Sequence, residues 1–594
     1  MRKLAVQLLV GSLAVGACRD RAEPQPPVDR SAFATPAPAP AAPELSKIRR
    51  IAERDGRLVR EIFERLEGAS RAKDAASARL AYLELRRAWR RLLPLAAMLT
   101  YAGTLEPESD EADEVPEDLG LRPIAGALAT DPPKWEVLAQ SLHRTGPASK
   151  LAPNEPRTIS LSLPKLAHSL TQAVFHWGVL LDGSGAESSE ESRIDAIDGG
   201  RALLEYTDEV RALTGGSKRL SNAVARFDAW LAAREKEGRI AEKLDGLMAS
   251  GELGAALRLE FAQKGAVVLP AFAPRRPTEA ALFAEPVSPA TFPRLPGAAP
   301  DERQAALGKR LFGDARLSKD RTLSCASCHR ESAALSSGPT RPRRFDGKSV
   351  VRDVPTLFNV AYEPMLFWDG RASTLTRQTE LAVEQDMGGD WAVIVDRLRD
   401  DAEVTAALPG GVTKEAITRA LAAHQRTLQS DDAPFDRYVR GDRAALGASE
   451  LRGFDIFYGE ARCSRCHRLP LTSGAAPPRF TKAEVAVIGV PKRPGTRELD
   501  PDLGRGGLET QTTGRHAFKV PSLRNLPRTA PYFHNGAFRT LEEVVDFYAA
   551  GAGEGLGIAP PNFDPDVRAF ALSKADRRAL LSFLSRGLND ANAR

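Results

Sequence analysis

Two short stretches of the chain carry the same reactive pattern: "SCASCH" over Ser324–His329 and "RCSRCH" over Arg462–His467. The 594-residue sequence holds only 5 cysteines, and four of them fall in these C-x-x-C-H units. Each pair would close too small a loop to act as a disulfide staple, and a disulfide leaves the following histidine without a task. A four-cysteine zinc site leaves both histidines unexplained, and a thioredoxin-like redox pair calls for a βαβ context that the sequence lacks. Covalent attachment of a c-type haem uses every residue: two thiols add to the vinyl groups and the adjacent imidazole reaches the iron. On this reading Cys325, Cys328 and His329 hold one haem, and Cys463, Cys466 and His467 hold a second.

The elements that must position these groups are helical. Apolar residues recur at three- and four-residue spacing through residues 46–262, as in "RLVREIFERLEGA" with Leu58, Ile62 and Leu66, which predicts an all-α domain. A Pro-rich stretch over 263–300 reads as a linker. Beyond it, "GKRLFGDARLS" and "GFDIFYGEA" each place a short helix ahead of a C-x-x-C-H unit. That repetition predicts two related helical haem domains in tandem, over 301–440 and 441–594. The fold class expected is therefore mainly α: a helical domain followed by two cytochrome c-like domains.

The first 18 residues, "MRKLAVQLLVGSLAVGAC", have a basic start, a short apolar run and small residues before Cys18. They resemble a bacterial lipoprotein signal with Cys18 as the acylated residue, followed by a Pro/Ala-rich tether over 19–45. An ordinary secretory signal is the alternative, and either one exports the chain. The expected location is the periplasm, with the membrane engaged through the lipid anchor alone. The net charge of +5 is small and its basic residues are interleaved with acidic ones, which argues against a nucleic-acid partner.

The region from about 301 to 590 resembles the bacterial di-haem cytochrome c peroxidase family, which includes the MauG-type enzymes. Three segments carry the likeness: "LGKRLFGDARLSKDRTLSCASCH", "VRDVPTLFNVAYEPMLFWDGRASTLTRQ" and "FKVPSLRNLPRTAPYFHNGAFRTLEEVVDFY". The resemblance implies a peroxide-reducing first haem, an electron-transferring second haem, a tryptophan between them and a calcium ion. Trp368 matches the bridging tryptophan, and Gln378 matches a polar residue of the peroxide pocket. Asp353, where the family usually has asparagine, matches a calcium ligand together with the carbonyls of Thr529 and Pro531. A carboxylate still suits a hard cation. Taken singly, Trp368 would read as core and Asp353 as a turn residue.

A peroxidase also needs an acid–base group. The family places a glutamate followed by methionine after the glutamine. Here "QTELAVEQDMGG" is shorter, and the residue before Met387 is Asp386, with Glu384 as a second candidate. No histidine lies between Arg330 and Ala423, so the first haem has no displaceable histidine of the kind the activating branch uses. No methionine follows Met387, so the second haem cannot be capped by one from its own domain. Tyr548, in a helix expected to start at Thr540 with Glu543 as reciprocal cap, matches the ligating tyrosine of the MauG-type enzymes. A core tyrosine is the plain alternative, and His516, His534 and Lys519 are the other donors nearby. Residues 46–262 faintly resemble an imelysin-like helical region, with His168 and His176 on nearly one helix face; packed or hydrogen-bonded histidines are the favoured reading of these over a metal or haem role.

These readings predict a peroxidase that turns hydrogen peroxide, two electrons and two protons into two waters. Its expected partners are a small cytochrome or cupredoxin donor and a second copy of the chain. The alternatives are a MauG-like oxidase acting on a protein or organic substrate, and a di-haem electron carrier.

Overall fold

A computed structural model describes residues 45–92, 94, 124, 127–128, 131–142, 166, 170, 173, 189–235, 242–263, 301–339, 341–475, 483–508 and 514–593. Cys18, His168 and His176 lie outside the described residues. The described chain is helical, and its only sheet pairs two short antiparallel strands, β1 (Val485–Ala486) with β2 (Phe518–Lys519). None of the described helices is long and apolar enough to cross a membrane.

The front region contains α1 (Ser46–Ala72), α2 (Ala75–Arg91), α3 (Ser189–Thr214), α4 (Lys218–Arg234) and α5 (Lys243–Gln263). Helix α1 buries Ile48, Ala52, Val59, Ile62, Phe63 and Leu66 along one stripe, the spacing that a 3.6-residue turn imposes. It stops at Lys73, which takes the left-handed conformation at φ 55°, and Asp74 then caps α2 by accepting from Ser77 N–H. Arg54 and Arg91 clamp Asp55 and Glu205, tying α1, α2 and α3 together.

The back half repeats one helix crossing. In the first haem-type domain, α6 (Glu302–Phe312) lies across a helix we number α11 (Lys414–Gln425), and between them run α7 (Cys325–Cys328), α8 (Leu375–Gln385), α9 (Trp391–Arg399) and α10 (Ala402–Ala407). The two outer helices meet at Gly308, where an added Cβ would lie 1.9 Å from the Ala420 carbonyl oxygen. In the second, α12 (Pro434–Val439) and α13 (Ala448–Tyr458) precede α14 (Leu541–Ala549), α15 (Ala552–Leu556) and α16 (Lys574–Ser582). There α13 meets α16 at Gly453, whose Cβ would lie 2.1 Å from the Ala579 carbonyl oxygen. Both crossings need glycine because backbone touches backbone.

The cores divide differently from the sequence segments. The first haem-type domain has its own cluster, from Leu307 and Leu311 to Ile417 and Leu421. The second shares one continuous cluster with the front region: Phe227, Leu231, Leu247 and Phe261 pack into the same core as Phe435, Phe454, Phe457 and Phe583. Polar contacts reinforce the junction. Asp455 on α13 accepts from Glu242 N–H at 2.9 Å and Lys243 N–H at 2.8 Å, capping α5, and Asp245 accepts from Tyr438 Oη and Arg443. The hydrophobic core thus crosses the 263–300 boundary read from the sequence.

Candidate active site

Each C-x-x-C-H unit folds as a single tight turn that presents its thiols and imidazole together. In the first, α7 carries Cys325 and Cys328, and the His329 N–H closes the turn on the Cys325 carbonyl at 2.9 Å. The His329 ring is fixed by Nδ1 against the Leu335 carbonyl at 2.8 Å. Burial lowers its pKa, so the ring is neutral, with the proton on Nδ1 and a lone pair at Nε2. The second unit repeats this logic. His467 N–H bonds the Cys463 carbonyl at 2.9 Å, Nδ1 faces the Pro521 carbonyl at 3.0 Å, and burial lowers the imidazole to about 4.

The four thiols are free. Burial raises Cys325, Cys463 and Cys466 to about 12, and Cys328 to about 11. Both units open into one cavity of about 1280 Å³, larger than the usual range for a small-ligand pocket. Thiol pairs beside a neutral imidazole with an available Nε2, twice over in a mainly apolar wall, form the donor set that a c-type haem requires. The residues fit the group.

Trp368 lines the same cavity as the two units. Its indole Nε1 donates to the Asp353 carbonyl at 2.8 Å, and its own carbonyl accepts from Lys519 N–H at 2.8 Å. Asp353 N–H in turn donates to the His534 carbonyl at 2.6 Å, and the His534 ring stands edge-on to Trp368 at 6.3 Å. The backbone of a single residue, Asp353, therefore ties the tryptophan to the "TAPYFH" segment. The Asp353 side chain is buried, accepts from the Ser337 hydroxyl at 3.4 Å and from the Val354 backbone N–H, and is pushed by burial up to about 7. Thr529 and Pro531 line the same cavity.

The structure separates the two carboxylate candidates. Gln378, Asp386 and Met387 line the cavity; Glu384 does not. Glu384 instead accepts from Trp391 Nε1 at 2.9 Å and Lys414 at 3.4 Å, facing α9 and α11. On the other side, α14 begins with the expected reciprocal cap between Thr540 and Glu543. Its Leu541, Val544, Val545 and Tyr548 face the cavity. Burial raises the Tyr548 phenol well above its ordinary value, and the Cys463 and Cys466 thiols nearby add to the effect. Of the other donors, His516 turns its Nδ1 to the Asp502 carbonyl and lies outside the cavity wall, and Lys519 pairs with Glu363 at 3.2 Å. His534 does line the cavity, stacked on Phe518 at 3.6 Å, with Nε2 3.6 Å from Asp500.

Sequence reasoning passed over the arginines of this wall. Arg352 grips Asp502 with two bonds of 2.7 and 2.8 Å and Asp369 with a third. Arg344 and Arg371 also reach the cavity. The run "RPRRF" carries a signal for Arg344, while Arg352 and Arg371 stand within "VRDVP" and "FWDGR".

Residues 302–444 match the family described as "Di-haem cytochrome c peroxidase". The methylamine utilization protein MauG of Methylorubrum extorquens is 36% identical over 298 residues, which cover 47% of this chain and 77% of that one. The cytochrome-c peroxidase IdrP1 of Denitromonas iodatirespirans is 34% identical over 306 residues, covering 47% of this chain and 80% of that one. Among solved structures, a MauG-like protein associated with microbial copper homeostasis is 31% identical, at a TM-score of 0.46, covering 51% of this chain and 95% of that one.

Proposed function

Because the chain belongs to the di-haem cytochrome c peroxidase family that includes MauG, we propose that it is an exported peroxidase reducing hydrogen peroxide to water with electrons from a small redox protein. It is an oxidoreductase of the di-haem class. The observation that carries the reading is the single cavity onto which both C-x-x-C-H units and Trp368 open.

Two c-type haems, when bound, supply an iron site for peroxide and a store for the oxidising equivalents it yields. Cys325, Cys328 and His329 Nε2 would hold one haem, and Cys463, Cys466 and His467 Nε2 the other. Gln378 orients peroxide by hydrogen bonding from the cavity wall. Asp386 is the group that takes the proton from the near peroxide oxygen and returns it to the leaving oxygen. Trp368, which lines the cavity shared by the two units, is the residue whose π-system would carry electrons between them, and its N–H is held on the Asp353 carbonyl. Tyr548 offers the second site an anionic oxygen donor that favours oxidised iron. The buried Asp353 carboxylate with the Thr529 and Pro531 carbonyls suits calcium, a hard cation that prefers oxygen. Export and lipidation at Cys18 rest on the N-terminal sequence.

A second reading, a MauG-like oxidase drawing electrons from a protein or organic substrate, is favoured by Tyr548 on the cavity wall and by the histidine-free stretch after Arg330. Electron paramagnetic resonance of the oxidised holoprotein tests both against a carrier. An enzyme gives one high-spin and one low-spin ferric signal; two low-spin signals would reject both enzyme readings. Steady-state peroxide consumption with reduced cytochrome or cupredoxin then separates peroxidase from oxidase.

A further inference from the structure

A turn over residues 341–351 crosses the cavity rim and is fastened to the end of α8. Arg344 N–H donates to the Lys348 carbonyl at 2.8 Å, and Gly347 N–H to the Arg344 carbonyl at 2.9 Å, which closes the turn. Phe345 N–H donates to the Asp386 carbonyl at 3.1 Å. The Phe345 ring lies so close to Gly388 that a Cβ there would be 2.5 Å away, and Gly388 has φ +62°. The turn therefore cannot shift without disturbing the backbone that carries Asp386.

This bracing sets the Arg344 side chain over the pocket. Its Nη2 donates to the Gln385 carbonyl at 2.8 Å. Its Nε is buried, has no hydrogen-bond partner, and lies 3.9 Å from Asp386 Oδ1. Both side chains line the cavity that holds Gln378 and His329.

We propose that Arg344 is a positioning residue of the peroxide pocket, whose guanidinium keeps the Asp386 carboxylate anionic and turned into the cavity. The proposal rests on the peroxidase reading above. A base works only while unprotonated, and burial alone pushes Asp386 up, against the pull of Arg344 and then Arg371. The other charged or titratable groups facing it are few. Cys328 is close enough to feel the Asp386 charge, and Lys319 reaches over the Phe345 ring at 5.6 Å while its N–H donates to the Met387 carbonyl at 3.0 Å. Arg344 is the cation nearest to Asp386 among these. A unit charge at this separation, partly open to water, moves a carboxyl by roughly half a pH unit to one unit.

The test uses the holoprotein and cyanide, which enters as HCN and gives its proton to the pocket base. Cyanide affinity is followed by absorbance against pH, beside the pH profile of peroxide consumption. Arg344→Gln, which keeps a donor for the Gln385 carbonyl, should move the acid limb of both profiles upward by roughly half a unit to one unit. Arg344→Lys should return the limb most of the way, and Asp386→Asn should flatten it. A limb flattened by Asp386→Asn but unmoved by Arg344→Gln overturns the proposal and leaves the peroxidase reading standing. A limb indifferent to Asp386→Asn removes Asp386 as the base and Arg344's role with it. A holoprotein that binds no cyanide at any pH overturns the peroxidase reading itself.

Discussion

At the scale of residues, the chemistry that needs contiguous side chains was the most legible. Two thiols and an imidazole within five positions declare themselves in the sequence, and the structure adds only which imidazole nitrogen is available. Side chains brought together from distant segments were harder to read. Asp386 and Glu384 are two residues apart, and in the sequence only the Met387 that follows Asp386 sets them apart; the structural difference comes from Trp391 and Lys414, which engage Glu384 from other helices. Trp368 gives the sharpest test of the relay. Trp368→Phe keeps an aromatic ring but removes the N–H held by the Asp353 carbonyl. Both haems should remain attached, while oxidation of the second haem after mixing with peroxide slows in stopped-flow absorbance; an unchanged rate would take the relay away from Trp368. Tyr548→Phe tests ligation separately. Loss of an anionic oxygen donor should change the low-spin resonance and raise that haem's reduction potential, whereas a merely packed phenol would leave both as they were.

At the scale of elements, α14 shows how much a helix start can disclose. The Thr540–Glu543 box and the three- and four-residue apolar spacing are enough to give its first turn and its inward face from the sequence. The helix crossings were not legible in the same way. Gly308 and Gly453 look like weak points in their helices, since glycine costs about 0.5–1 kcal/mol against alanine in a free helix. Their value appears only when the partner carbonyl is placed against them. Substitution should therefore change sign with position. Gly68→Ala on α1, where nothing lies within 4 Å of the new methyl, should raise stability by about 0.5–1 kcal/mol. Gly453→Ala should lower it by about 1–3 kcal/mol as α13 and α16 are pushed apart. Chemical denaturation of the two variants beside the parent protein checks both signs.

At the scale of the whole molecule, the front helices and the second haem-type domain fold around common side chains, which a Pro-rich stretch between them does not suggest. Linker composition reports where the chain runs free, and carries no information on which faces later meet. Asp455 marks the junction. Removing its carboxylate with Asp455→Ala leaves the Glu242 and Lys243 N–H groups without their acceptor, a loss of about 0.5–2 kcal/mol for a helix cap. Burial raises this carboxyl from 3.8 to about 6, so the folded form takes up a proton before the unfolded chain does. The Asp455 contribution thus grows as pH falls from about 6 toward 4 and shrinks as pH rises through 6. The melting-temperature gap between parent and Asp455→Ala should be wider at pH 5 than at pH 7.5.

Two of the four hydrophobic clusters among the described residues also set how the protein opens. Native-state amide hydrogen exchange in mild denaturant should sort into two cooperative classes. Amides of α6, α8 and α11, resting on the cluster from Leu307 to Leu421, would exchange through one opening event. Amides of α4, α5, α13 and α16 would exchange together through another, because the front helices cannot loosen without exposing Phe454 and Phe583. The half carrying Cys325, Cys328 and Asp386 can then breathe, or be cleaved by a protease, while the half carrying Cys463, Cys466 and Tyr548 stays shut.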